Sequence, residues 1–204
     1  EEAPAAVVNA PEVRFPADYP SQPPVHGLPL SATFEKGDET SVHGVKVIVM
    51  RDERLPLVHW TLLLRRGSHS DPQGKEGLAS LTASLLRRGA GAYSYEQLND
   101  MLESRAIRID VEDGGDVTQV SCSSTGEQVD QAIDLARLIV QSPTFPATEF
   151  AKRKEQMISQ LRLAEENPAS VAERDLMAAV HGQGPLGRRA TPASVASITL
   201  EDVR

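Results

Sequence analysis

A chain of 204 residues with 40% apolar composition is long enough to bury one sizeable core, and with aromatics at only 4% that core must be built from Leu, Val, Ile and Ala. A formal charge of −8 argues against a nucleic-acid backbone as the main partner, because phosphate binding asks for a basic surface. The longest apolar run, around Leu62–Leu64, is far too short to cross a bilayer, and the single Cys122 excludes an internal disulfide and a cysteine-rich zinc site.

Residues 1–40 differ from the rest. Pro4, Pro11, Pro16, Pro20, Pro23, Pro24 and Pro29 crowd a stretch with little periodicity, and proline fixes φ while removing a backbone donor. The sparse apolar anchors Val13, Phe15, Tyr19 and Leu28 suit an extended arm lying on a surface, and the composition suits an unstructured linker equally well. No hydrophobic leader opens the sequence, as expected of a cytoplasmic protein or of one whose signal peptide has been removed.

Residues 41–204 read as one globular lobe. Val45–Met50 is a strand, Arg51–Pro56 a turn and Leu57–Arg65 a second strand, so the pair suggests a hairpin. Gly67–Gly77, with Pro72 and Gly74, is a loop. Leu78, Leu81 and Leu85 then recur at helical spacing over Gly77–Arg88, and Gly89-Ala90-Gly91 stops the helix. Ser94 with Gln97 forms a capping-box pattern ahead of Leu98, Met101 and Leu102. Ile107, Ile109 and Val111 alternate with polar residues in a half-buried strand, and Gly114-Gly115 connects it to another strand over Val117–Ser124. A helix opening at Thr125–Gln128 carries Val129, Ala132, Ile133, Ala136 and Ile139 on one face. A long helix follows Pro146 and ends at Asn167-Pro168; further helices cover Ser170–Val180 and start at Thr191-Pro192 and Thr199. The order predicts an α+β fold: a mainly antiparallel sheet covered by helices on one face, a two-layer sandwich.

Within the helix at Gly77–Arg88, Ser80, Ala83 and Ser84 fall at i, i+3 and i+4 and so share one face. All three are small, leaving a bare strip where a backbone could approach or a cavity could lie. No Gly-x-Ser-x-Gly elbow marks a serine nucleophile, Ser94 is explained as a helix cap, and Cys122 in mid-strand reads as a small buried hydrophobe. The histidines are His26, His43, His59, His69 and His181. None is paired with another His or an acid at helical spacing, so a metal site among them requires tertiary proximity. The glycine pairs Gly89/Gly91 and Gly182/Gly184 lack the setting of a phosphate loop and read as turns.

The strand pair, the Gly-Ser and Asp-Pro loop, the Gly77-Leu78-Ala79 helix start, the Arg87-Arg88-Gly89-Ala90 helix end, the Tyr-Ser-x-x-Gln-Leu helix and Pro143-Thr144-Phe145-Pro146 together resemble the first lobe of the insulinase/pitrilysin zinc peptidases. The likeness covers residues 40–204 and rests on the order and spacing of these segments. Catalytic members of that family carry His-x-x-Glu-His on this helix, two imidazoles holding zinc and the glutamate activating its water. Mapped onto this chain, the first His falls on Ser80, the Glu on Ala83 and the second His on Ser84; the third ligand, a Glu, falls near Ser159 or Gln160. The resemblance therefore implies a zinc metalloendopeptidase fold without catalytic residues, without bound zinc and inactive by itself. It further implies a partner, either a zinc-bearing family member in a hetero-oligomer or a second lobe of the same protein, with a peptide as what the two would enclose. The alternative is a structural or assembly subunit, as the family's respiratory-complex core proteins are. The chain stops before the lobe's last strands are expected, as a fragment or cleaved product does, and a periplasmic or secreted location is expected by likeness to bacterial members.

Overall fold

The computed structural model describes Tyr19 and residues 36–182 and 184–204. The arm expected over residues 1–40 therefore lies outside the described residues, apart from Tyr19 and 36–40. The chain divides into two units, Glu1–Asp52 and Glu53–Arg204.

In the first unit, β1 (Asp38–Val42) and β2 (Val45–Val49) form an antiparallel ribbon. The strand beginning at Val45 thus pairs with the residues before it rather than with Leu57–Arg65. The reason is local. His43 and Gly44 both take positive φ, 49° and 82°, the geometry of a two-residue hairpin turn whose twist matches the strands it joins.

The second unit is built on an antiparallel sheet of order β3-β7-β6, with β3 at Leu57–Leu64, β6 at Arg108–Asp113 and β7 at Thr118–Thr125. The register aligns Trp60, Cys122 and Ile109 in one row and Leu62, Val120 and Val111 in the next. Side chains alternate along a strand, so these rows share a face, and on it Ile109, Val120 and Cys122 are fully buried. The opposite face carries His59, Thr61 and Leu63 of β3, all exposed. The fold is α+β, as expected.

Helices α1 (Leu78–Leu86), α2 (Tyr95–Glu103) and α3 (Val129–Gln141) supply the rest of the core through Leu81, Leu85, Leu98, Leu102, Ala132 and Ile139. A two-residue ribbon, β4 (Gly89–Ala90) with β5 (Tyr93–Ser94), joins the first two helices. The capping box of α2 forms as read: Gln97 N donates to Ser94 Oγ at 3.3 Å and Ser94 N to Gln97 Oε1 at 2.9 Å. On α3 the buried face differs by one position, since Leu135 is buried and Ile133 is exposed. The long α4 (Ala147–Glu165) buries no residue fully and docks through Phe150, Met157, Ile158 and Leu161. Asn167 then caps α5 (Pro168–His181), accepting from Ala169 N at 2.9 Å. Two short helices, α6 (Pro192–Ser197) and α7 (Leu200–Val203), close the unit with buried Val195 and Val203.

Candidate functional site

Helix α1 begins without a side-chain cap of its own. Gly77 precedes it at φ 101°, and a Cβ there would lie 3.0 Å from Met157 Cε and from Val195 Cγ2, so both the backbone and the space require glycine. The free N–H groups of the first turn are met from the loop instead. Asp71, 6% exposed, accepts from Gly77 N at 2.8 Å and Ala79 N at 3.0 Å. Burial raises its carboxyl above the ordinary range, with nearby Asp113 pushing the same way and the helix N–H groups opposing. Arg188 fixes the loop from outside, donating to the Asp71 carbonyl at 3.2 Å and to Glu76 Oε1 at 3.0 Å.

Ser80 faces the end of β6. Its Oγ donates to Asp113 Oδ2 at 2.5 Å, while Asp113 Oδ1 accepts from Ser68 N at 2.9 Å and Gly115 N at 3.0 Å. Burial works to raise this carboxyl, but the hydrogen bonds, Ser80's foremost, outweigh it and hold Asp113 below the ordinary range. A cavity of about 570 Å³ opens beside this pair, with Ser80, Asp113, Gly115, Leu161, Arg188 and Ala190 among its walls. Ser84, one turn on, donates to the carbonyl of Leu81 at 2.7 Å and lines a separate, smaller recess with Arg87 and Tyr95. Ala83 lies between them, buried at 4% exposure.

On α4, Ser159 and Gln160 are exposed. The residue of that helix that reaches the cavity beside Ser80 is the next one, Leu161. The structure thus brings Ser80 and Leu161 to one cavity, keeps Ser84 beside Ser80 on the same helix, and turns Ser159 and Gln160 to solvent. Sequence reasoning did not find Asp113, Asp71 or Arg188. The apolar pair Met157/Leu161, at i and i+4, was the available signal for the inward face of α4.

A zinc ion needs three or four N, S or carboxylate donors converging at about 2 Å. The positions where the family places them offer the Ser80 and Ser84 hydroxyls, both already engaged, the Ala83 methyl group, and Ser159 and Gln160, which are exposed and do not line the cavity. The carboxylates around the cavity are also engaged: Asp71 with α1, Asp113 with Ser80 and two N–H groups, Glu76 with Arg188 and Gly74 N. His69 lines the same cavity, with Nδ1 2.9 Å from Asp116 Oδ1. Among the described residues no group of three or more His, Cys, Asp or Glu is arranged to hold a metal. The residues present do not fit zinc.

Nor does the arrangement make Ser80 a nucleophile. Its proton points at a carboxylate held low, which is a weak base. Cys122 is buried in the sheet, and burial pushes its thiol up. His59 is exposed on β3, His43 lies in the hairpin turn and His181 ends α5; His26 lies outside the described residues.

Comparison with known proteins adds the family and its relatives. The family model described as insulinase (peptidase family M16) matches residues 46–192. A non-peptidase homolog, YmxG of Helicobacter pylori, is 29% identical over 183 residues, covering 87% of this chain and 41% of the relative. The inactive domain of a peptidase M16 from Pseudomonas fluorescens superposes with a TM-score of 0.76 at 25% identity, over 82% of this chain and 42% of that one. The periplasmic protease PqqL from Escherichia coli shares the fold, with a TM-score of 0.67 at 15% identity over 96% of this chain and 22% of its own. The chain spans less than half the length of each of these proteins.

Proposed function

The chain belongs to the insulinase family, peptidase family M16, and from that premise we propose that it is a non-catalytic lobe which works by enclosing a peptide together with a zinc-bearing lobe or subunit. One observation carries the reading. At the positions where the family's metal ligands and general base belong stand Ser80, Ala83 and Ser84, and the Ser80 hydroxyl is spent on Asp113. No water can be activated there, because no donor set holds the ion that would activate it. The non-peptidase homolog from Helicobacter pylori and the inactive domain from Pseudomonas fluorescens support the same reading. What is left of the site is a walled cavity suited to contact rather than to chemistry.

In this reading the cofactor is absent, the substrate is a peptide held for a partner's active site, and the location is periplasmic or secreted. The partner supplies His-x-x-Glu-His; this chain supplies a wall. The test is a peptidase assay with quenched fluorescent peptides, run on the purified chain alone and after mixing with a zinc-bearing family member. Alone, it is expected to carry no stoichiometric zinc by elemental analysis and to cleave nothing. Mixed, it should co-elute with the partner and raise its rate. Cleavage by the chain alone that a chelator abolishes would end the proposal, and co-elution without any effect on rate would favour the assembly role. Osmotic-shock fractionation tests the location.

A further inference from the structure

The family's chemistry implies a metal beside α1, and this chain's residues do not fit one, which leaves open what keeps the walls of the cavity in place. We infer that Asp113 is a positioning residue: its carboxylate clamps the start of α1, the turn at Ser68–Ser70 and the β6–β7 hairpin into one rigid wall, so that the cavity beside Ser80 holds its shape without a metal. The inference rests on the metal-free reading given above.

Three donors converge on this carboxylate, two from distant segments and one from its own hairpin: Ser68 N and Gly115 N on Oδ1, and Ser80 Oγ on Oδ2. Charge-assisted hydrogen bonds of this kind are the stronger sort, and a carboxylate is the side chain that can accept several at once. The turn and the hairpin are also joined backbone to backbone, His69 N donating to Gly115 O at 3.0 Å. They touch so closely that a Cβ on Gly67 would lie 2.3 Å from Gly115 O. Farther along the same loop, Asp71 is bound to the first turn of α1. Asp113 therefore holds the loop at Ser68 and Asp71 ties it to Gly77 and Ala79, and both carboxylates bond to the start of α1. A wall so cross-linked is pre-organised for a ligand in the way a metal site is, with protein donors replacing the ion.

Hydrogen exchange followed by mass spectrometry tests this on the whole chain. In Asp113→Ala, amides of 66–71 and 113–117 should exchange faster by about tenfold or more, the loss of stabilisation expected when a charged acceptor of several bonds is removed. Those of α3 should not change. Asp113→Asn, which keeps one acceptor, should fall between, and Ser80→Ala should give a smaller rise in the same segments. Neither zinc nor a chelator should alter the wild-type pattern. Unchanged exchange in Asp113→Ala, with no response to zinc, overturns the clamp and leaves the metal-free reading standing. Loosening of the wild type by chelator overturns both. If Asp113→Ala opens the whole chain, Ser80→Ala decides: a rise confined to the two segments supports the clamp, and none, or a general one, refutes it.

Discussion

Two carboxylates near the start of α1 are shifted in opposite directions, and their surroundings explain why. Asp113 is resisted by burial but held ionised by Ser80 and the N–H groups of Ser68 and Gly115, so its folded value lies below the ordinary 3.8. A depressed acid contributes stability above its unfolded value, and that contribution is lost as pH falls through the folded value. The urea midpoint of wild type should therefore exceed that of Asp113→Asn most at neutral pH, with the gap closing below about pH 4. Asp71 is raised by burial, so its contribution is present in acid and lost as pH rises through its folded value. The gap between wild type and Asp71→Asn should accordingly be wider in acid than at neutral pH. Chemical denaturation across pH 3–7 checks both, and parallel curves would contradict them. Little of this was legible in the sequence. Ser80, Ala83 and Ser84 announce themselves as small residues at ligand spacing, because helical periodicity is local. Asp113 does not, because its partnership with Ser80 depends on how β6 docks against α1. Ser159 and Gln160 lie beside Leu161 in sequence but face elsewhere, since the phase of α4 is set by the core it meets.

Elements are held by their ends as much as by their faces. Ser94 satisfies the first turn of α2, and Ser94→Ala should cost about 1 kcal/mol in thermal or urea unfolding, as the loss of a good N-cap does. Gly77 is bound more tightly to its identity, by its positive φ and by Met157 and Val195 around it. Gly77→Ala should destabilise by about 1–3 kcal/mol, combining left-handed strain with overpacking; a change of a few tenths would show that α1 and α4 can part at little cost. The sequence displayed α2 and its cap because side chains three apart meet whatever the rest of the chain does. It misled on Val45–Val49, where a strand signal says nothing of which neighbour will be chosen; the His43-Gly44 turn, which decides it, lacks the usual Asn-Gly signature. Ile133 and Leu135 exchanged places for a similar reason: a stripe of apolar residues leaves the docking angle of α3 open by one position.

For the molecule as a whole, the question is whether the family's site has been lost or only emptied. Ser80→His, Ala83→Glu and Ser84→His restore the helical pair, and the third ligand can be supplied as Glu at Ser159, Gln160 or Leu161. The prediction is that zinc binds, by calorimetry, in the Leu161→Glu version and not in the other two, because Leu161 alone of the three lines the cavity with Ser80. Asp113 would then be placed to orient the new imidazole at position 80. Binding by the Ser159→Glu or Gln160→Glu version instead would mean that α4 turns otherwise in solution. Peptide cleavage should stay absent in all three, since orienting a substrate takes more than a metal. The contact of Gly67 with Gly115 carries a consequence of another kind, for descent. Gly67 cannot acquire a side chain while the Gly115 carbonyl stands where it does, whereas Gly115, held at φ 88°, would meet only the His69 ring, which can move. Related sequences should keep the glycine before the Ser-His-Ser turn, and a lineage that widened this junction should show a longer β6–β7 hairpin wherever that glycine is gone.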